Sequence, residues 1–364
     1  MRCMSRVQAL FIVTACVAGL TGCEDSPTPI LGCEPGAGIT PDCRFQNPED
    51  LALLPSGRGI LVSQFGSMDG SMPGNIARYD PADGSIDVLF PVEQTAGLQA
   101  GSWGDPECPP PDPGFFSPHG IDLDQRPNGE AVLLVVNHGG RESVELFAVE
   151  ESQGDVRLSW RGCVVGPADA YFNDVVARSD GGFWVTQMMP KSSQAAATLG
   201  GILGRDTGFV YSWARDAGFQ KVPGSDGAMP NGIEKSADEA HLYINMYFGG
   251  EVRKLDLASG EVIATVKVPS PDNSTWSREG RLLVASHTDR LTEFLKCGDL
   301  AEGSCGFAFE IVALDAEDLS GFAWLAHRGA PMGGVTVALH VGDELFLGTY
   351  AGDRIGRYAL DPSL

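Results

Sequence analysis

Lysine and arginine are scarce in this chain of 364 residues, and the shortage excludes a large class of partners. The sequence holds 25 basic residues against 48 aspartates and glutamates, which gives a net charge of −23. Proteins that bind nucleic acid need a surplus of Lys and Arg to neutralise phosphates, so we expect no nucleic acid partner. The acidity suits a soluble exported protein and leaves carboxylates available for a hard cation.

Other absences narrow the chemistry. The chain has no Cys-x-x-Cys pair, which disfavours a four-cysteine metal site. It has no Gly-x-Ser-x-Gly elbow, which disfavours a serine hydrolase of the α/β type. With 43% hydrophobic and 20% charged residues, its composition is neither that of a disordered chain nor that of a multi-span membrane protein.

The first residues have the features of an export signal. Arg2 and Arg6 precede a mostly apolar segment, Val7 to Leu20, which is short for a membrane span. It ends in Leu-Thr-Gly-Cys23, small residues before a cysteine in the manner of a bacterial lipobox. We therefore predict a lipoprotein signal peptide over residues 1–22, with cleavage before Cys23 and lipidation of that residue. An ordinary secretory signal with a chance cysteine is the alternative.

A tether is expected to follow the signal. Residues 24–46 are rich in Pro, Gly and acids, so residues 23–46 are interpreted as a lipidated linker ahead of the folded domain. The chain is then expected to be an exported bacterial lipoprotein that faces the periplasm or the cell surface. Its contact with the membrane would be through the N-terminal lipid alone.

The remaining cysteines suggest disulfides. Removal of Cys3 and Cys16 and lipidation of Cys23 leave an even number, six, as expected for disulfides in an exported protein. These are Cys33, Cys43, Cys108, Cys163, Cys297 and Cys305. About fifteen connectivities are possible in principle; pairing Cys33–Cys43 and Cys297–Cys305 closes short loops and leaves Cys108–Cys163.

A repeated strand pattern predicts the fold. The 47 glycines and 24 prolines indicate many tight turns. Six segments combine a polar or small pair, an alternating strand, a turn and a second strand; they start at Glu49, Pro118, Asn173, Pro230, Asp272 and Gly333. Such repeats are typical of propeller blades. We predict an all-β, six-bladed β-propeller with four antiparallel strands per blade over residues 47–364. The alternative is a β-sandwich or two barrels, but neither would require a polar pair at the same position of every repeat.

The phase of the repeats predicts a functional site. Residues at the same phase of successive blades meet near the central channel, and here they are Glu49, Asp50, His119, Asn173, Asp174, Asn231, Asp272 and Asn273. Buried carboxylates at close range repel one another unless a cation neutralises them. Oxygen ligands from Asp, Glu and Asn favour Ca²⁺ over zinc. Any one such pair could be a strand-entry turn, but five pairs in register favour a calcium centre, with room for two ions.

Two of the six histidines stand out. His119 lies in the ring, and His138 ends the strand that pairs with the one starting near His119. The two are predicted to face each other at the channel mouth, where a histidine pair near a Lewis-acidic ion could activate water. His287 has a similar exit position in the fifth repeat. A structural role is the alternative for each histidine taken alone.

These segments resemble the paraoxonase (arylesterase/lactonase) family of six-bladed calcium propellers. The matching stretches are Phe116-Ser-Pro-His-Gly-Ile, Leu133-Leu-Val-Val-Asn-His, Ser143-Val-Glu-Leu-Phe, Phe172-Asn-Asp-Val-Val-Ala, Pro230-Asn-Gly-Ile and Leu345-Phe-Leu-Gly-Thr. The resemblance covers most of residues 43–358 and is looser between Gln187 and Gly227. Gluconolactonase-like and strictosidine-synthase-like propellers share the architecture and are wider relatives.

The resemblance implies a set of roles. A catalytic calcium would be held by Glu49, Asn173, Asn231, Asp272 and Asn273, and a second, structural calcium by Asp50, the carbonyl of Ile121 and Asp174. His119 and His138 would be the water-activating pair. The family joins its first and last strands by a disulfide, but the C-terminal position corresponds to Tyr358, so closure here would be non-covalent.

The function expected from this resemblance is calcium-dependent hydrolysis of lactones and, as side substrates, aryl esters. The small-molecule lactone or ester would be the partner, and the sequence does not indicate an oligomeric state. One alternative is a non-catalytic, calcium-stabilised surface propeller that binds a partner or a glycan. Another is a gluconolactonase-like sugar lactonase.

Overall fold

Six antiparallel sheets surround a central channel in the computed structural model, which describes residues 29–67, 71–91, 103–126, 128–152, 154–290, 297, 300 and 302–360. Five sheets have four strands in the order expected for a propeller blade, and the second has the same four strands plus a short fifth strand that pairs in parallel at its outer edge. The prediction of a six-bladed propeller is confirmed. The signal peptide, Cys23 and its lipidation lie outside the described residues.

The strands can be grouped by their distance from the channel. The innermost are β2 (Pro48–Leu53), β7 (Pro118–Gln125), β11 (Phe172–Ala177), β15 (Pro230–Lys235), β19 (Pro271–Trp276) and β23 (Val335–Val341). The second ring is β3 (Ile60–Gln64), β8 (Ala131–Asn137), β12 (Phe183–Gln187), β16 (His241–Met246), β20 (Leu282–His287) and β24 (Glu344–Thr349). The third is β4 (Asn75–Asp80), β9 (Ser143–Ser152), β13 (Phe209–Ala214), β17 (Glu251–Asp256), β21 (Phe309–Leu314) and β25 (Ile355–Ala359).

The outer strands and one helix complete the fold. The outer strands are β5 (Ser85–Phe90), β10 (Asp155–Val165), β14 (Gly218–Lys221), β18 (Glu261–Lys267), β22 (Gly321–His327) and β1 (Ile39–Asp42), and β6 (Trp103–Gly104) pairs with β10. A 3₁₀ turn, Lys191–Ser193, leads into the helix α1 (Gln194–Ile202) between β12 and β13. The described residues include no helical segment that could span a bilayer.

An N-terminal strand closes the ring. β1 pairs with β25, with Ile39 opposite Tyr358, and so supplies the outer strand of the sixth blade. The propeller therefore extends upstream of residue 47, where the sequence placed its start, because the last three strands of the chain lack an outer neighbour. Arg354, fully buried, holds the preceding segment by donating to the carbonyls of Ile30 and Gly32 at 2.8 and 2.7 Å. The contact between β1 and β25 is non-covalent.

Apolar side chains fill the spaces within and between blades. One cluster packs Phe90, Phe116, Leu133 and Phe147, all at most 2% exposed, and Phe90 meets Phe116 and Phe147 edge-on. Such burial stabilises the fold by about 25 cal/mol for every Å² of apolar surface removed from water. Cysteine pairs compatible with disulfides, Cys33–Cys43, Cys108–Cys163 and Cys297–Cys305, join loops to this framework.

Candidate metal centre and histidine pair

Irregularities at the start of the inner strands place the site. Every inner strand slips in register just after its first residue, at Pro48/Asp50, Pro118/Ile121, Phe172/Val175, Pro230/Ile233, Pro271/Ser274 and Val335/Val337. A β-bulge leaves residues outside the ladder and re-aims their side chains. The skipped residues are Glu49, His119, Gly120, Asn173, Asp174, Asn231, Gly232, Asp272, Asn273 and Thr336, which include most of the predicted ring.

Contacts between blades hold the bulges together. Asn273 Nδ2 of the fifth blade donates to Glu49 Oε1 of the first at 2.8 Å. Thr336 Oγ1 of the sixth blade donates to the Glu49 carbonyl at 2.6 Å. The inner strands approach closely enough to need glycine, since a Cβ on Gly120 would lie 2.5 Å from Asp174 Oδ1. The ring is therefore a joint product of several blades.

Several ring oxygens are buried without a hydrogen-bond partner. Among the described residues these include Glu49 Oε2 and the Oδ1 atoms of Asn173, Asn231 and Asn273. Their side chains are at most 3% exposed. Unsatisfied buried acceptors are costly, and each calls for an explanation such as a bound ion. Carboxylate and amide oxygens are the donor set that calcium prefers, so these residues fit a calcium ion.

The pKa values of the ring carboxylates are raised, as expected for a site that holds a cation. Burial raises the pKa of Glu49 well above its usual range, and the charges of Asp50 and Asp272 raise it further. Burial also raises the pKa of Asp272 to about 8, against the effect of a hydrogen bond from Asn231. Within the described residues no three or more His, Cys, Asp and Glu side chains form a ligand group by themselves; three ring positions are Asn instead.

Asp50 and Asp174 form a second acidic pair deeper in the channel. Asp50 accepts the N–H groups of Leu51 and Ile121 at 2.8 and 2.7 Å, and Asp174 accepts those of Val175 and Ile233 at 2.8 and 2.9 Å. Burial raises the pKa of Asp50 to about 7, and burial and Asp50 raise that of Asp174. Both carboxylates line a cavity of about 640 Å³ at that end of the channel. The Ile121 contact uses its N–H, so a ligand role for its carbonyl stays a prediction.

His119 and His138 lie side by side next to Glu49 of the ring. His119 Nδ1 and His138 Nε2 are 2.9 Å apart, and His119 Nε2 lies 3.6 Å from Glu49 Oε1. The side chain of His119 is 9% exposed and that of His138 is fully buried, and Phe65 packs on His119 with its ring centre 4.9 Å away. Burial, together with the neighbouring His138, lowers the pKa of His119 well below 6.5. The sequence predicted that these residues meet, and the structure brings them together.

Glu142 also contacts the histidine pair, and sequence reasoning missed it. Its Oε1 lies 2.9 Å from His138 Nδ1 and accepts the backbone N–H of Phe172 at 2.8 Å, and its Oε2 accepts from Lys191 Nζ at 3.0 Å. The only signal in the sequence is its position four residues after His138, which is uninformative without the tight turn of Gly139 and Gly140 between them. A repeat-based search does not find it because Glu142 lies outside the repeated polar pair.

On the fifth blade, His287 ends β20 beside the ring. Its Nδ1 lies 3.0 Å from the Tyr247 hydroxyl and 3.6 Å from Asp272 Oδ2. Burial lowers the pKa of His287 to about 4, so its ring is neutral near pH 7. His287 therefore contacts the carboxylate ring through Asp272, on the blade opposite the one that carries the histidine pair.

Known proteins share this architecture. Residues 126–302, just under half of the chain, match the family described as SMP-30/Gluconolactonase/LRE-like region. No curated protein matches the sequence significantly. This part of the chain is thus similar to gluconolactonase-like propellers, the wider group named above, and the narrower resemblance to paraoxonases stays a prediction.

Solved structures show the same fold at low identity. A gluconolactonase from Xanthomonas campestris matches with a TM-score of 0.50 and 19% identity, over 93% of this chain and 96% of that one. A luciferin-regenerating enzyme matches with a TM-score of 0.51 and 14% identity, over 88% and 95%. At these identities the structures support the propeller fold and not a particular substrate.

Proposed function

We propose that this chain is a calcium-dependent hydrolase of lactones, with aryl esters as secondary substrates. One observation carries the proposal: unpartnered, buried oxygens of Glu49, Asn173, Asn231 and Asn273 belong to one ring, and the free face of a histidine pair borders it. The ring supplies the oxygen ligands that Ca²⁺ prefers. The histidine supplies a nitrogen within reach of the same space. Such a combination suits attack of water on an ester carbonyl.

The residues that would hold the catalytic ion are Glu49, Asn173, Asn231, Asp272 and Asn273. When bound, calcium would polarise the ester carbonyl and stabilise the developing oxyanion, an effect worth roughly 10²–10³ in rate for one such donor. Asp50, Asp174 and the Ile121 carbonyl would hold a second, structural ion that offsets the repulsion between the two carboxylates.

The histidine pair would handle the proton. His119 Nδ1 is engaged by His138, so Nε2 is the nitrogen that faces the ring. It takes a proton from water as the oxygen attacks the carbonyl carbon. The ring C–O bond of the lactone then breaks, and the proton returns to the leaving alkoxide, which gives the hydroxy acid.

A sugar lactonase is the second candidate, and the family match over residues 126–302 favours it. Sugar lactones are polar, whereas a paraoxonase-like site would accept apolar lactones and aryl esters. Near the predicted mouth, Met188 and Met189 are buried together with Tyr171. Two further aromatic residues lie elsewhere: Trp103 is on the fifth strand of blade two, and Phe116 is in the core cluster that also contains Phe90 and Leu133.

The test is a substrate panel with purified protein. We expect turnover of δ-valerolactone or phenyl acetate with calcium present, loss of activity in chelator and recovery on calcium addition. Preference for glucono-δ-lactone would support the sugar lactonase. Absence of turnover in calcium-loaded protein would refute both and favour a non-catalytic surface propeller.

We also propose that the chain is exported and anchored through lipidated Cys23. The proposal rests on the N-terminal sequence, Arg2 and Arg6 before the apolar segment and Leu-Thr-Gly-Cys23 after it. The anchor would place the propeller at a membrane surface, facing the periplasm or the exterior.

A further inference from the structure

A buried chain of contacts continues from the histidine pair into the protein. His119 Nδ1 meets His138 Nε2 at 2.9 Å, and His138 Nδ1 meets Glu142 Oε1 at 2.9 Å. At the far end of this series of contacts, the Lys191 ammonium lies 3.0 Å from Glu142 Oε2 and holds the carboxylate in place. The side chain of His138 is fully buried and that of Glu142 is 8% exposed, so water has little access to these contacts.

The surroundings of Glu142 favour its ionised form. Burial opposes ionisation, but His138, the N–H of Phe172 and Lys191 together outweigh it and lower the pKa of Glu142. An ionised carboxylate can only accept hydrogen bonds. Glu142 therefore requires a proton on His138 Nδ1, which leaves the Nε2 of a neutral His138 as an acceptor.

The same logic determines the state of the second ring. An acceptor at His138 Nε2 requires a donor at His119 Nδ1. The remaining nitrogen, His119 Nε2, then carries a lone pair and faces the ring beside Glu49. The Glu142 carboxylate, which contacts His138 but acts on His119 through it, thus determines which nitrogen of the histidine pair is basic.

We propose that Glu142 is a positioning residue that sets the tautomers of His138 and His119 and stabilises the positive charge that the pair acquires. This inference rests on the proposed hydrolase function. When His119 Nε2 accepts a proton from water, its Nδ1 proton can pass to His138 Nε2. The resulting imidazolium of His138 lies against the Glu142 carboxylate, and the proton returns by the same path to the alkoxide.

Lys191 connects the Glu142 carboxylate to the segment between β12 and β13 of the third blade. It lies on the 3₁₀ turn before α1, and Glu142 also binds the first residue of β11 through the Phe172 N–H. Glu142 thus connects the second blade to the third and to the helical insertion. The ammonium also lies 5.6 Å from the centre of the Tyr171 ring, which packs near His138.

The first experiment needs no substrate. Long-range ¹H–¹⁵N correlation spectra of the calcium-loaded protein report which nitrogen of each imidazole carries the proton. We expect His138 and His119 both to be protonated on Nδ1. A proton on Nε2 of His138 in the neutral state would overturn the proposal, whether or not the protein hydrolyses lactones.

The second experiment separates positioning from structural support. Glu142→Gln should lower kcat roughly 10–100-fold, the usual cost of losing a group that orients a functional histidine, while KM and calcium affinity change less than about two-fold. Glu145→Gln is the matched control, because Glu145 is a fully buried carboxylate nearby that binds Ser143 and Trp160.

The outcomes are distinguishable. Equal kcat losses in the Glu142 and Glu145 variants, or loss of calcium in Glu142→Gln, would overturn the positioning role and indicate general support of the fold. Melting temperatures of both variants identify a variant that fails to fold. If Glu142→Gln fails to fold, Lys191→Met takes its place, because it removes the ammonium that contacts the Glu142 carboxylate. We expect Lys191→Met to lower kcat less than Glu142→Gln. Wild-type protein without any lactone or ester turnover would refute the proposed function, and the spectra would still test the tautomers.

Discussion

Asn273 donates a hydrogen bond of 2.8 Å to Glu49, across 224 residues of sequence and between the fifth and first blades. The bond uses Glu49 Oε1 and Asn273 Nδ2, and it leaves Glu49 Oε2 and Asn273 Oδ1 buried without partners. Each side chain thus orients the other so that an oxygen remains for a cation. This pairing is why we expect the ring to bind calcium rather than to be a neutral hydrogen-bond network.

Removal of one ring charge should weaken calcium binding. Glu49→Gln or Asp272→Asn keeps the side-chain shape but removes a negative charge, and calcium affinity depends on the number of ligand charges, so we expect binding at least about 100-fold weaker. Isothermal titration calorimetry measures the affinity, and hydrolysis should fall with it. Asp87→Asn on the outer strand β5, where the side chain is 60% exposed, is the control. Unchanged affinity in both ring variants would argue against this site.

His138→Gln should separate metal binding from hydrolysis. The variant removes the proton relay from His119, which should lower kcat by about 10²-fold, a typical contribution of general acid–base catalysis. His138 touches His119 and Glu142 rather than the ring oxygens, so calcium affinity should be retained. Loss of calcium in this variant would place His138 in the metal site and contradict our assignment.

Calcium binding should release protons near neutral pH. Without the ion the pKa of Asp272 is raised to about 8 and that of Asp50 to about 7, and calcium would favour their ionised forms. Titrations at one pH in buffers of different ionisation enthalpy count the protons released. We expect clear release at pH 7 and little well above the pKa of Asp272.

The stability of calcium-free protein should follow the same carboxylates. Their folded-state pKa values lie above the unfolded value, so the folded state holds more protons and stability falls as pH rises from about 4 through about 8. Thermal melts in chelator should show this decline, and calcium should stabilise the protein more at the higher pH. A calcium-free protein that becomes more stable across this range would contradict the predicted protonation.

Arg354→Met should loosen the N-terminal segment. The guanidinium also donates to the Pro331 carbonyl at 2.8 Å in a buried contact, and its removal leaves that acceptor unpaired, at a cost of about 1–3 kcal/mol. Denaturant unfolding should show the loss, and hydrogen exchange should rise first in β1 and the segment before it. Arg357→Met, at a partly exposed site on β25, is the matched control. Equal effects in both would indicate a general loss of positive charge.

Cys23→Ser should release the protein from the membrane. Lipidation requires the thiol of that residue, so the variant should lose label from radioactive palmitate and move to the soluble fraction of the cells that produce it. An unlabelled wild type that is nevertheless exported would support the ordinary secretory signal instead.

Much of the architecture could be predicted from periodicity alone. Strand alternation and turn glycines recur in every blade, so the six innermost strands begin within two residues of the starts of the repeated segments. The polar residues at that phase were identified for the same reason. The N-terminal strand was not predicted, because β1 has no partner nearby in sequence and pairs with β25 at the opposite end of the chain.

The sequence by itself determined the repeat and the ring residues, because both follow from a local pattern repeated at one phase, and it brought His138 to His119 because their strands are neighbours in sequence. Only the tertiary structure decided which ring oxygens remain without a hydrogen-bond partner. It also showed that Glu142 and Lys191 extend the contacts of the histidine pair. Those contacts join different blades through turns with no repeated signature. The propeller phase therefore specifies which residues meet, whereas the chemistry available to them depends on packing between blades.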